Sequence, residues 1–188
     1  MSNTAPPGLG ALGPQIAAFD EWADTQLERL RGNPVADKVF TTASHLGDLS
    51  LVWHLVSVAR TLGGAPPIEA LRLSALIGAE SLVLNQGIKR LFRRERPTMA
   101  GDERFDVRPP STSSFPSGHA SSAMFAATLL TCLDRRRAPL WYAIATIVAL
   151  SRPYVRIHHA SDIVGGAIAG KLLARLAVPL LQLNRVTR

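Results

Sequence analysis

The sequence predicts an all-α protein: a bundle of about six helices, five of them embedded in a membrane and one, at the N-terminus, amphipathic. Five apolar segments follow one another within 188 residues, and no stretch alternates polar and apolar residues as a strand would. Hydrophobic residues make up 47% of the chain and charged residues only 19%, below the roughly 25% of soluble proteins. We expect a flexible tail over residues 1–13 and a single helical domain over residues 14–188.

The predicted N-terminal helix covers residues 15–31. Acidic residues stand between its apolar ones, and Gly32-Asn33-Pro34 ends it. The apolar positions, at near-helical spacing, are Ile16, Phe19, Trp22, Leu27 and Leu30. This pattern indicates an amphipathic helix at the protein surface or the membrane interface.

Two long helices are expected next. The second covers residues 36–62 and is stopped by the Gly- and Pro-rich residues 63–67. The third covers residues 68–92 and is mostly apolar, although it carries Glu80 and Asn85. The Pro- and Ser-rich residues 98–115 that follow are predicted to form a loop.

Three further helices complete the predicted bundle. The fourth opens at Ser117-Gly118-His119 and runs to residue 133, and the fifth covers residues 139–150. The sixth covers residues 162–183 and begins with several small residues, among them Gly165, Gly166 and Gly170. Small residues let helices approach closely, especially in membranes.

The membrane prediction rests on the number of apolar segments. A spanning helix needs about 20 predominantly apolar residues, whereas the longest charge-free runs here, residues 119–133 and 138–151, are shorter. Hydropathy alone therefore also fits a buried soluble bundle. Five apolar segments in so short a chain favour the membrane, and Glu80 would then have to face the bundle interior.

The charge balance indicates an anionic partner. A net charge of +7 attracts phosphates, nucleic acid or acidic lipid headgroups. The single cysteine, Cys132, excludes an intrachain disulfide and a cysteine-based metal cluster. It lies in an apolar run, and we interpret it as a packing residue.

Three segments carry the groups needed to move a phosphoryl group. They are Lys89-x6-Arg96-Pro97, Ser114-Phe115-Pro116-Ser117-Gly118-His119 and Ser151-Arg152-x5-His158-x3-Asp162. Phosphoryl transfer depends mainly on positioning and on fixed positive charge, which Lys89, Arg96 and Arg152 can supply. Ser117 and Gly118 stand where a helix begins, and its free N–H groups and dipole can hold phosphate.

Histidines supply the remaining chemistry. His158 and Asp162 are four residues apart, so a carboxylate one helical turn away can keep one ring nitrogen protonated and leave the other as a nucleophile. His159 is three residues from Asp162 and is a rival for this role.

The three segments, in this order and spacing, resemble the motifs of the type 2 phosphatidic acid phosphatase superfamily, without a departure at the catalytic positions. The resemblance implies that His158 attacks phosphorus and forms a phosphohistidine, oriented by Asp162. It implies that His119 protonates the leaving oxygen and then activates water. The phosphate-binding residues it implies are Lys89, Arg96, Ser117, Gly118 and Arg152. No metal and no cofactor are expected.

Other polar residues near the motifs receive structural interpretations. We interpret Arg90, Arg93 and Arg94 as the solvated basic end of a helix or a patch for lipid headgroups. Glu80 is expected to make a helix–helix hydrogen bond, with contact to substrate as the alternative.

The resemblance also implies a substrate and a location. The substrate is a lipid phosphate: phosphatidic acid, phosphatidylglycerol phosphate, or a polyprenyl phosphate or diphosphate. We expect a small integral protein of a bacterial cell (inner) membrane, surrounded by membrane lipids and binding no nucleic acid. The positive-inside rule puts Arg135, Arg136 and Arg137 in the cytoplasm and the active site outside, although basic residues on the active face nearly balance it. The headgroup, the tail and the oligomeric state stay open.

Two other classes stay open as alternatives. A soluble acid phosphatase or a vanadate-dependent haloperoxidase could use the same site, although the apolar helices argue against both. A catalytically dead module that binds anionic lipid or nucleic acid would suit the basic clusters. Against it stand His119, His158 and Asp162, because a binder needs no acid, nucleophile or orienting carboxylate.

Overall fold

A computed structural model of the chain describes residues 12–98, 102–107 and 110–182. The predicted tail over residues 1–13 lies outside these ranges except for its last two residues. The described residues form α-helices joined by short turns and loops and contain no strand, which confirms the all-α prediction. The helices are α1 (Pro14–Glu28), α2 (Pro34–Gly47), α3 (Leu51–Leu62), α4 (Pro67–Leu82), α5 (Gly118–Leu133), α6 (Ala138–Tyr154) and α7 (Ala160–Gln182).

The single helix predicted over residues 36–62 is wrong, because the chain breaks between α2 and α3. Asn33 caps the start of α2, where its side-chain oxygen accepts hydrogen bonds from the next backbone N–H groups. At the break, Leu49 and Ser50 have φ angles of 49° and 60°, a left-handed conformation that residues other than glycine rarely adopt. Neither position is a glycine or a proline, so these residues give no sequence signal of a break.

The third predicted helix also changes form before its end. After α4 ends at Leu82, the chain continues as a π-helical turn, Val83–Gly87, and a 3₁₀ turn, Ile88–Leu91. Such π-turns occur often at functional sites. Here the turns carry Asn85 and Lys89 to the wall of a cavity.

The bundle is organised around α5, which packs on α6 and α7. Phe125, Leu129 and Leu130 of α5 are fully or almost fully buried. Gly166 and Gly170 of α7 lie so close to α5 that an added methyl group would collide with backbone carbonyl oxygens of that helix. This contact confirms the predicted close packing of the small residues.

The outer face of α7 is apolar. Among the described residues, Ala160–Leu181 is the one helical segment long and apolar enough to cross a membrane, and only 28% of its most apolar window is buried. Its exposed large apolar residues recur at every fourth position: Val164, Ile168, Leu172, Leu176 and Leu180. A contiguous exposed apolar stripe of this kind marks a surface for lipid or for another protein.

Candidate active site

The three sequence motifs meet at one cavity of about 200 Å³. The turns after α4 supply Lys89, the start of α5 supplies Gly118 and His119, and the end of α6 with its connection to α7 supplies Arg152 and His158. The other three predicted site residues, Arg96, Ser117 and Asp162, are buried close by. The fold therefore brings all eight predicted residues into one region.

His158 is held as a neutral imidazole with a defined tautomer. Its Nδ1 lies 3.3 Å from Asp162 Oδ2, and Arg96 donates to its Nε2 at 3.1 Å. Because a guanidinium can only donate, Nε2 carries the lone pair and Nδ1 the hydrogen. Burial, together with the charges of Arg96 and Arg152, holds the pKa of His158 well below its usual range. At neutral pH Nε2 therefore carries a lone pair and no hydrogen, as a nucleophile requires.

Asp162 is fixed by several donors. Its Oδ2 accepts from the Ser114 hydroxyl and, at 2.8 Å, from the backbone N–H of His159. Its Oδ1 pairs with Arg94 at 2.5 Å. His159, the rival nucleophile, contacts Asp162 through its backbone, and its ring Nε2 is buried without a partner among the described residues. The side chain that Asp162 orients is His158.

The interpretation of Arg94 as a solvated cation is wrong. Arg94 is only 3% exposed and bridges Asp162 to Asp20 of α1, which lies 2.6 Å away. Asp20 also accepts a hydrogen bond from the backbone N–H of Ser161 at 2.7 Å. Arg90 and Arg93 are exposed, as predicted. Sequence reasoning missed Arg94 and Asp20 because neither stands out from neighbouring residues of like charge.

Arg96 is anchored beside the nucleophile. It donates to the backbone carbonyls of Ile157 at 2.6 Å, Pro110 at 2.9 Å and Thr112 at 3.1 Å. These bonds fix the orientation of the guanidinium. Burial lowers its pKa to about 10, so Arg96 remains a cation at neutral pH.

Lys89 and Arg152 place two more cations at the cavity. Lys89 is 6% exposed, and burial, followed by the charge of Arg96, lowers its pKa to about 8. Arg152 donates to the Ser44 hydroxyl, and its Nε is buried without a partner among the described residues. Ser117 caps α5 by accepting from the N–H of Ala120. These cations and the start of α5 surround the space into which His158 faces.

His119 also lines the cavity, at the beginning of α5. Its Nε2 lies 3.2 Å from the backbone carbonyl of Ser44 and 3.1 Å from Asp48 Oδ1. Glu80 does not line the cavity: it accepts a hydrogen bond from Ser121 of α5, which is the predicted helix–helix contact. Within the described ranges, no group of three or more His, Cys, Asp or Glu residues is placed to hold a metal ion.

Comparison with known proteins identifies the family. Residues 69–185 match the model of the PAP2 superfamily. The chain belongs to the PAP2 superfamily. This confirms the family predicted from the three motifs and makes the protein a phosphatase, a phosphoric monoester hydrolase.

Two curated relatives of this PAP2 protein are phosphatases. Over 141 residues it is 36% identical to decaprenylphosphoryl-5-phosphoribose phosphatase of Mycolicibacterium smegmatis, covering 73% of this chain and 74% of that protein. Over 153 residues it is 28% identical to phosphatidylglycerophosphatase B of Bacillus subtilis, covering 74% of this chain and 72% of that protein.

Two solved structures share the fold. A transmembrane PAP2-type phosphatidylglycerolphosphate phosphatase from Bacillus subtilis superposes with a TM-score of 0.68 at 26% identity, covering 93% of this chain and 90% of that one. Aquifex aeolicus LpxE superposes with a TM-score of 0.68 at 21% identity, covering 85% of this chain and 94% of that one. The match to a transmembrane protein and the exposed apolar face of α7 both support membrane insertion.

Proposed function

We propose that this PAP2 protein is an integral membrane phosphatase that removes a terminal phosphate from a lipid, without a metal ion, through a phosphohistidine at His158. One observation carries the proposal: His158 is neutral, its Nε2 lone pair faces a cationic cavity, and Asp162 holds its Nδ1 hydrogen. An anion binder needs the cations but not a nucleophile held in one tautomer.

In the first step, Nε2 of His158 attacks phosphorus while the bond to the ester oxygen breaks. Lys89, Arg96 and Arg152 stabilise the charge on the phosphoryl oxygens. The backbone N–H of Gly118 and the hydroxyl of Ser117 can also donate to these oxygens, whereas the backbone N–H of Ser117 is bonded to the carbonyl of Asp162. Asp162 stabilises the histidine as it becomes positively charged. His119 gives a proton to the departing lipid oxygen.

In the second step, water replaces histidine on phosphorus. His119, now neutral, takes a proton from the water as its oxygen attacks, and the phosphorus–nitrogen bond breaks. Inorganic phosphate leaves, and His158 returns to the neutral state with its hydrogen on Nδ1. The two histidines thus complete the cycle with no other co-reactant than water.

The mouth of the cavity suits a substrate with an apolar tail. Leu49 and Ser50, at the break between α2 and α3, and Leu84, after α4, line the cavity. Leu49 is 96% exposed. The outward faces of α3 and α4 below this mouth are also apolar, with exposed Leu55, Val58, Leu71 and Leu82. A lipid tail can lie along them while its phosphate enters the cavity.

The cavity wall also favours a hydroxylated headgroup. Ser81, Asn85 and Ser122 line it together with the phosphate-binding cations. Asn85 donates to the carbonyl and hydroxyl oxygens of Ser81, at 2.9 Å and 3.1 Å, which leaves its own oxygen to accept a hydrogen bond. The relatives named above act on a phosphoribose lipid and on phosphatidylglycerophosphate. We therefore favour a lipid whose phosphate is carried on a sugar or glycerol over phosphatidic acid or a polyprenyl phosphate or diphosphate.

A panel of lipid phosphates and diphosphates tests this function. Purified protein with EDTA should release phosphate, and most rapidly from phosphatidylglycerol phosphate or a polyprenylphosphoryl phosphoribose. His158→Ala should reduce turnover by at least about 10³-fold, the order of loss when a nucleophile is removed. Acid-labile phosphate should be trapped on the wild-type protein in the steady state.

His159→Gln is the matched control, because it changes the adjacent histidine and leaves the proposed nucleophile. It should retain the trapped phosphate, whereas His158→Ala should lose it. Full turnover by His158→Ala, or abolition of activity by EDTA, contradicts the proposal.

A further inference from the structure

Asp48 lies in contact with His119, although none of the three motifs includes it. At the break between α2 and α3, Asp48 Oδ1 is 3.1 Å from His119 Nε2 and 4.0 Å from a terminal nitrogen of Arg152. The backbone carbonyl of Ser44 lies 3.2 Å from the same Nε2. His119 thus has a carboxylate beside it, as His158 has Asp162.

These contacts define the tautomer of His119. A carbonyl oxygen and a carboxylate oxygen can only accept, so Nε2 of His119 carries the hydrogen. Nδ1 is then the nitrogen that exchanges a proton with the reacting oxygens. The hydrogen bond to Asp48 keeps this assignment through both steps of the cycle.

The backbone next to Asp48 has an unusual conformation. Leu49 and Ser50, which follow it, both have left-handed φ angles, a strained conformation that clusters at functional sites. Gly47, which precedes it, packs on the imidazole, because an added Cβ there would collide with His119 Cδ2. The break between α2 and α3 therefore packs against the imidazole ring of His119.

We propose that Asp48 is a positioning residue that holds the Nε2 hydrogen of His119 and stabilises the imidazolium form that protonates the leaving oxygen. This role rests on the proposed function. A proton donor in this cavity faces an electrostatic obstacle, since Arg152 on α6 is beside it and Lys89 lines the same space. The negative charge of Asp48 offsets that repulsion. Asp48 has His45 as a further titratable neighbour, with His45 Nδ1 3.9 Å from Asp48 Oδ2.

The role of Asp48 should matter more for substrates with a poor leaving group than for substrates with a good one. Without a proton, an alkyl oxygen would leave as a strongly basic alkoxide, and so its departure needs the proton of His119 in the first step. An aryl oxygen leaves as a stabilised phenolate and needs it much less. Since kcat/KM reports only the steps up to departure of this oxygen, loss of Asp48 should slow alkyl phosphates selectively.

The experiment compares a long-chain alkyl phosphate with an aryl phosphate that carries the same chain. For Asp48→Asn we expect kcat/KM to fall about 10- to 100-fold on the alkyl phosphate, part of the 10²–10⁴-fold that general acids contribute, and less than about threefold on the aryl phosphate. The alkaline limb of the alkyl pH profile should move to lower pH. Asp48→Glu should restore most of the rate.

Asp134→Asn is the matched control, because it removes one carboxylate at the other end of the bundle, where Asp134 lies 3.9 Å from Arg60. It should leave both kcat/KM values unchanged. If Asp48→Asn does not fold, Asp48→Ser provides a second neutral variant. Equal losses on both substrates, or no loss on either, overturn the role of Asp48. Failure of the wild-type protein to release phosphate from either substrate overturns the proposed function itself.

Discussion

Three buried arginines at the site have different electrostatic surroundings. Arg96 and Arg152 lie beside the two histidines of the cavity, and among the described residues the carboxylate paired with either is Asp48, 4.0 Å from Arg152. Arg94 instead lies between the buried carboxylates of Asp20 and Asp162. Because two negative charges surround Arg94, we infer that it holds the nucleophile's partner in place and adds no positive potential for phosphate. Removing one member of such a buried network costs about 3–5 kcal/mol.

The charge of Lys89 predicts how kcat/KM depends on pH. Burial, then the charge of Arg96, lowers its pKa to about 8, so the cation is present below pH 8 and is lost as the pH rises through that value. The second ionisation of the substrate phosphate, with a pKa near 6, is complete by then. We expect kcat/KM for the aryl phosphate, which needs the proton of His119 least, to decline above about pH 8.

Lys89→Arg should move this alkaline limb to higher pH, because a guanidinium keeps its charge. Lys89→Met should lower kcat/KM below about pH 8, where the wild-type lysine is charged, and should remove the alkaline limb. The measurement is kcat/KM against pH for each variant. An alkaline limb that stays in place in Lys89→Arg would show that another group titrates there.

At the scale of elements, the contact between α5 and α7 positions two of the three motifs. Ser117 and His119 stand at the start of α5, and Asp162 stands in the first turn of α7. The backbone N–H of Ser117 donates to the carbonyl of Asp162 at 3.0 Å, so the two helix ends are joined directly. The glycines of α7 allow this approach, because any side chain at their positions would push the two helices apart.

The prediction at this scale is that Gly170→Ala destabilises the protein. Its methyl group would collide with the Ser121 carbonyl, and overpacking of this kind costs about 1–3 kcal/mol. Thermal unfolding in detergent measures the effect as a lower Tm.

Gly78→Ala in α4 is the control. A methyl group there meets nothing within 4 Å, and alanine is about 1 kcal/mol more favourable than glycine inside a helix. Its Tm should be unchanged or higher. Equal Tm values for the two variants would contradict the packing argument.

At the scale of the whole molecule, the two ends of the bundle differ in chemistry. One end holds the cavity and its motifs. The other end carries Arg60, which pairs with Glu69 at 3.2 Å and lies 3.9 Å from Asp134. The exposed Arg135–Arg137 follow Asp134 in the chain. Between them, helices present apolar side chains outward, as a lipid-facing surface requires.

The prediction at this scale concerns orientation. The positive-inside rule places Arg135–Arg137 in the cytoplasm and the active site outside. Single cysteines can be introduced at exposed Arg136 and exposed Gln86, each in a Cys132→Ser background that removes the one native thiol. In intact cells, a membrane-impermeant maleimide should label Gln86→Cys and should label Arg136→Cys only after permeabilisation. The reverse pattern would invert the predicted topology.

Helix periodicity and motif spacing are local properties, and so the sequence alone predicts the all-α class, most helices and the eight residues that lie at or beside the cavity. The break at Leu49 and Ser50 was not predictable, since its left-handed conformation has no local sequence signal and the adjacent Gly47 packs against His119, which is distant in the sequence. The partners Asp20, Arg94 and Asp48 were missed for a related reason. Their side chains resemble exposed charges, and only the tertiary structure decides which charges are buried and which opposite charge or histidine each one meets.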